Sequence, residues 1–271
     1  LAEHLTKQSH KINPVYRDDF SNTKQLAEKL SKSEVVINLA GAPVFKRWTK
    51  AYKNKIYHSR INTNREIVKY MQLTDHKPKV FITASAIGIY DDQKHHTESS
   101  QNFSEDFLGK VCKDLEAEAL QAEKQGIRVV FCRFGIVLGK DGGALKQMAL
   151  PFKLGLGAKI GSGKQAFSLI HIKDLLAAFD MIICDEKIAG PVNMTSPKPT
   201  TNSGLTKALG SALNRPAFLK LPEFALRLVY GEGASVLTSG QYVIPEKLQQ
   251  HGFKFQYPDI QTALSEIFRK K

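Results

Sequence analysis

Val35-Val36-Ile37-Asn38-Leu39-Ala40-Gly41 is the stretch whose reading decides the fold. Three β-branched residues in a row run into an amide and then a turn of small residues. A continuous apolar run of this kind reads as a strand buried on both faces, the habit of parallel sheets. Asn38 to Gly41 then lies at the carboxyl end of that strand, where open α/β sheets bind ligands. Small residues at that point let a flat ring or a ribose approach the backbone.

Working outward, Val80 to Ser85 and Ile127 to Arg133 are two more buried-type strands. Before the first of them the pattern predicts a long helix from an N-cap at Thr49 to about Met71, with Tyr52, Ile56, Ile61, Ile67 and Val68 near its apolar side. A second helix over Asp106 to Gln125 is stopped by Gly126. Upstream, Leu1 to Leu5 reads as a helix tail, Ile12 to Tyr16 as a short strand held near an edge by Pro14, and Lys24 to Leu30 as a helix. Alternating strands and helices imply right-handed crossovers and an α/β fold with a doubly wound, mostly parallel sheet. After Gly139 glycines crowd the chain, with a short helix expected near Leu145 to Phe152. Ile170-His171-Ile172 then reads as a strand, Asp174 as the start of a helix over Leu175 to Cys184, and Pro191 to Met194 as a last strand. From Pro197 on, short helices separated by Pro and Gly predict a smaller C-terminal lobe.

The chain has 271 residues, enough for one large domain with an appended lobe, and 42% of them are hydrophobic. No apolar run is long enough to span a bilayer, so no membrane partner is expected. Cys112, Cys132 and Cys184 are odd in number and far apart, which fits neither a disulfide framework nor a metal site and points to a reducing cytoplasm. The net charge of +13 admits nucleic acid or an anionic small ligand, but the lysines look scattered and no nucleic-acid motif accompanies them. A small-molecule partner, with an anionic group, is the expectation; the oligomeric state is not legible. Adjacent His95-His96 lacks the spacing of a metal-ligand pair, so no metal is expected.

At this point the residues resemble an extended-type short-chain dehydrogenase/reductase, and more narrowly its epimerase branch, related to nucleotide-sugar epimerases. The resemblance rests on Asn38-Leu39-Ala40-Gly41, Arg47-Trp48-Thr49, Ser59-Arg60, Ala84-Ser85-Ala86-Ile87-Gly88-Ile89-Tyr90, Arg133-Phe134-Gly135-Ile136-Val137-Leu138, Gly161 to Gln165, Ile170 to Leu175 and Asn193-Met194-Thr195-Ser196-Pro197, in family order. It implies a Rossmann-like dinucleotide-binding part over residues 1–140. A substrate lobe over 141–271 follows, with 170–195 returning to the sheet. It also implies NADP as cofactor, and hydride chemistry at a sugar or other small carbonyl carbon. A dinucleotide-binding sensor without turnover is the alternative.

Two departures stand out. Relatives open on a strand and a Gly-Gly-Thr-Gly-x-x-Gly turn that holds the pyrophosphate at a helix N-terminus. Leu1 falls where that helix is already under way, so the strand and turn are expected upstream of Leu1. The superfamily's Tyr-x-x-x-Lys pair is also replaced. Aligned on Glu116, those positions hold Leu108 and Cys112, while Lys110 and Lys113 are out of step on the helix.

The resemblance places Ser85 at a catalytic serine's position and Tyr90 close to it, and both are expected as catalytic residues. Cofactor contacts are expected from Arg17, whose charge suits a ribose 2′-phosphate, from Asn38, Leu39, Ala40 and Gly41, and from Arg60, Ala84 and Arg133. Arg47 and Arg60 bracket one helix and, aimed at one cleft, would suit a carboxylate or phosphate. Asp174 is expected as an N-cap, His171 as a satisfied core histidine, and His95-His96 as part of a solvated loop.

Overall fold

The computed structural model describes residues 1–140 and 142–269; the side chain of Arg17, expected at the cofactor ribose, lies outside what it describes. The apolar runs do form the sheet. Strands β1 (Val35–Asn38), β2 (Val80–Ala86), β3 (Arg128–Phe134) and, later in the chain, Gly190–Met194 lie side by side in that order, every pair parallel. The register sets Asn38 beside Thr83, Ser85 beside Arg133, and Arg133 beside Asn193. The polar residues that end the apolar runs are thereby aligned along one rim.

Helices cover both faces, because alternate residues of a strand point to opposite sides. Phe81, Val129 and Phe131 face a cluster with Leu26, Ile67, Val68 and Met71, from helices α1 (Thr23–Ser31) and α2 (Lys50–Leu73). Ile82, Val130 and Cys132 face the other way, onto Leu175, Ala178, Phe179 and Ile182 of a helix over Ile172–Cys184. Helix α3 (Phe107–Leu120) packs on α2 and β2. Thr49 caps α2 as expected, its Oγ1 accepting the Tyr52 N–H at 3.1 Å. Asp106 caps α3 through the Gly109 N–H at 2.7 Å. Gly126 follows a final 3₁₀ turn at φ 75°, a left-handed conformation that glycine adopts without strain.

A third cluster joins Leu145 and Phe152 of α4 (Gly143–Lys153), Leu205 and Leu209 of a helix over Asn202–Leu213, and Ile260 and Leu264 of the last helix, Ile260–Ile267. A two-stranded ribbon of β4 (Ala158–Ile160) and Leu219–Leu221 packs on the Asn202–Leu213 helix.

Three sequence expectations are corrected. Residues 11–16 form no strand; β1 is the edge of the sheet, and nothing among the described residues pairs with its outer side. The helix over Ile172–Cys184 is capped by His171, whose Nδ1 accepts the Lys173 N–H at 3.2 Å, and not by Asp174. Asp174, buried, instead accepts the Gln256 and Tyr257 N–H groups at 3.0 and 2.9 Å. His95-His96 is not a solvated loop: it pairs in parallel with Tyr242-Val243, and His96 is buried against the Tyr90 ring at 4.8 Å.

Candidate functional site

The rim at the carboxyl ends of β1, β2 and β3 has two parts. The first is an open shelf. Asn38 is buried and fully engaged: Nδ2 donates to Asn64 Oδ1 at 2.7 Å, and Oδ1 accepts the Ala40 N–H at 2.9 Å. Asn64, on α2, also accepts from Thr83 Oγ1 and donates to the Leu115 carbonyl. One amide thus pins β1, β2, α2 and α3 together beneath the shelf. Leu39, Ala40 and Gly41 lie on top of it, exposed.

Arg60, three turns into α2, packs its guanidinium against Gly41; a Cβ on that glycine would lie 2.8 Å from Cζ. Its Nη1 donates to the Ile56 carbonyl at 3.1 Å. No carboxylate pairs with it among the described residues. Burial pushes its pKa down, the mark of a cation that has lost water without gaining a carboxylate. Arg47 is not aimed at the same point, because its Nη1 donates to the Leu228 carbonyl at 2.8 Å and ties the helix over Glu223–Tyr230 to the start of α2.

The second part is a sealed network behind the shelf. Ser85 Oγ donates to Glu116 Oε1 at 2.6 Å. Arg133 holds the same carboxylate with two donors, Nε to Oε1 at 2.9 Å and Nη2 to Oε2 at 2.7 Å. Its Nη1 donates to the Tyr90 hydroxyl at 2.7 Å, and that hydroxyl donates to Asn193 Oδ1 at 2.9 Å. Asn193 Nδ2 continues to the Ile244 carbonyl, and its backbone N–H to Glu98. Burial works against the Arg133 charge, but the hydrogen bonds and field of Glu116 outweigh it and hold the guanidinium pKa above its ordinary value. Burial raises the Tyr90 phenol against the lowering effect of Arg133.

These findings correct two expectations. Tyr90 has 0% exposure and its hydroxyl is spoken for on both sides, so it offers no proton to a ligand. Arg133 is also buried and serves Glu116, not a cofactor. Ser85 does stand at the end of β2, next to half-buried Ala84, at the border between network and shelf. Cys112 lies against it with its thiol pushed up to about 12 by burial, so it stays protonated and inert. Lys110 pairs with Asp114 at 3.0 Å, and Lys113 sits over the Phe103 ring at 5.6 Å; neither supplies the lysine of the usual pair.

Sequence reasoning missed Glu116, which it used only to fix an alignment, as well as Asn64 and Asn193. Glu116 follows Cys112 by one helical turn, and Asn64 sits three residues from both Ile61 and Ile67. A polar residue on an apolar face is the signal that was available. A separate cavity of about 290 Å³, lined by Lys94, His95, Lys164, Gln165 and Tyr242 among others, shares no residue with the shelf.

With that geometry in hand, comparison with known proteins is informative. The profile described as "NAD dependent epimerase/dehydratase family" matches residues 2–194, and one described as "Domain of unknown function (DUF1731)" matches 221–267. Epimerase family protein SSP1921 of Staphylococcus saprophyticus is 42% identical over 236 residues, covering 86% of this chain and 79% of that protein. Epimerase family protein YfhF of Bacillus subtilis is 37% identical over 286 residues, covering 98% and 94%. Among solved structures, human epimerase family protein SDR39U1 (isoform 2), crystallised with NADPH, superposes with a TM-score of 0.82 at 30% identity, covering 90% of this chain and 86% of that one.

Proposed function

This chain belongs to the NAD dependent epimerase/dehydratase family, and from that premise we propose that it binds NADP(H) at the shelf and acts as an oxidoreductase or epimerase on a small anionic substrate, of which a nucleotide sugar is one class. The observation that carries the reading is Arg60, a half-buried guanidinium without a carboxylate partner among the described residues, at a glycine whose missing Cβ leaves room. An anionic group is what such a cation accepts.

A bound dinucleotide would supply a nicotinamide able to give or take hydride. The chain's own residues do the rest. Leu39, Ala40 and Gly41 offer a flat surface, and Arg60 neutralises charge. Ser85, at the end of β2 with its hydroxyl proton committed to Glu116, would meet a ligand hydroxyl as an acceptor. Tyr90, Arg133 and Glu116 keep that serine in place.

NADP(H) over NAD(H) is supported by the NADPH in the human relative and by the position of Arg17 in the sequence. Three free thiols, two of them buried, suit the cytoplasm. Calorimetry with NADPH and NADH tests the preference: Arg17→Ala should weaken NADPH by about 1.5–3 kcal/mol and leave NADH unchanged. Equal losses for both would remove the 2′-phosphate reading. Turnover of NADPH with carbonyl compounds or nucleotide sugars, abolished in Ser85→Ala, would set the enzyme apart from a sensor. Binding without turnover across such a panel would favour the sensor.

A further inference from the structure

The lysines that look scattered along the chain are gathered by the fold. Between Asp141 and Asp174 there is no Asp or Glu, and none between Glu186 and Glu223. These two stretches meet in the β4 ribbon, where Lys159 and Lys220 are register partners. Like charges placed side by side on one face of a sheet repel in water. Lys207 joins Lys159 at a cavity of about 220 Å³ that Ser203, Thr206 and Phe218 also line. Among the described residues none of these three lysines has an ion-pair partner.

Phe218 lines that cavity with Lys159 and Lys207, and exposed apolar side chains follow on the adjoining segments. Phe218 is 80% exposed, Leu154 68% and Leu156 58%. The Leu219 N–H donates to the Gly157 carbonyl at 3.3 Å, which brings the Phe218 and Leu156 segments together. A lone exposed leucine is ordinary, but several exposed apolar side chains on adjoining segments mark an interaction surface.

We propose that this face docks on the surface of an anionic bilayer, with Phe218, Leu154 and Leu156 entering the headgroup region and Lys159, Lys207 and Lys220 meeting lipid phosphates. Apolar insertion combined with basic residues is the chemistry of proteins that lie on membranes. Nucleic acid would answer the charge but not the leucines. A second copy would answer the leucines but bring cation against cation. The expectation of no membrane partner came from the lack of a spanning run. No helix among the described residues is long and apolar enough to cross a membrane, which concerns crossing and not lying on the surface.

Vesicle flotation with the full chain tests it. The protein should float with equimolar phosphatidylcholine/phosphatidylglycerol vesicles, stay behind with phosphatidylcholine alone, and be released by added salt. Lys159→Gln with Lys220→Gln should lower the affinity roughly 30-fold. Leu156→Ser with Phe218→Ser should lower it at least ~10-fold, with the unfolding midpoint unchanged because both side chains are exposed. Three results would each overturn the proposal: no flotation on the anionic vesicles at low salt; flotation that neither double variant weakens; or retention of DNA, RNA or a second copy through these residues without vesicle binding.

Discussion

The shelf and the network share the same strand ends and are built on opposite rules. In the network, Ser85, Glu116, Arg133, Tyr90 and Asn193 hand hydrogen bonds to one another, and none of their atoms is among the buried groups left without a partner. At the shelf, exposed backbone surrounds a cation that no carboxylate answers among the described residues. A satisfied buried network is rigid and, apart from Ser85 at its edge, unavailable to a ligand, whereas a half-buried cation without a carboxylate is available to an anion and adds little to the fold. Support and binding are thus divided between adjacent residues.

The comparison breaks most visibly at Glu116. Glu116→Ala would leave the Arg133 charge buried and unpaired, and should cost about 3–5 kcal/mol in urea unfolding. Arg60→Ala should cost far less, because it strands no partner. Equal losses would mean that the two regions are not built differently. Tyr90→Phe comes next. It keeps the ring stacked on His96 but strands Arg133 Nη1 and Asn193 Oδ1, for an expected loss of about 1–3 kcal/mol by the same measurement.

A smaller, pH-dependent effect sharpens the contrast outside both regions. Burial, aided by the nearby Lys173 charge, lowers the His171 pKa from 6.5 to about 4. The unfolded chain therefore binds this proton more readily than the folded one. The stability contributed by a neutral His171 is complete above 6.5 and declines as pH falls toward 4. Urea midpoints measured between those limits should fall in the native protein and fall less in His171→Asn, which keeps a capping side chain. Identical slopes would contradict the assignment.

How far the sequence alone carried is instructive. Buried strands were legible because a β-branched run has few other uses, and the caps at Thr49 and Gly126 because their chemistry is local. The strand expected over Ile12 to Tyr16 was not, since a strand exists only where it pairs, and among the described residues nothing pairs with the outer side of β1. Asn38 to Gly41 and Ser85 were legible as a rim by position at strand ends. The roles of Tyr90 and Arg133 were not. Whether a phenol or a guanidinium faces a ligand or a carboxylate depends on a residue elsewhere in the chain, here Glu116 on α3. Spacing along one strand cannot show what packs behind it.

The central claim is that Arg60 and the shelf receive the cofactor while the network only supports them. Calorimetric titration of NADPH into the full-length protein and its Arg60→Ala variant tests this most directly, with urea unfolding of both as a control. The account predicts binding by the native protein, a loss of about 1.5–3 kcal/mol in affinity for the variant, and nearly equal unfolding midpoints. NADPH binding that is absent from the native protein, or undiminished in Arg60→Ala, would contradict it.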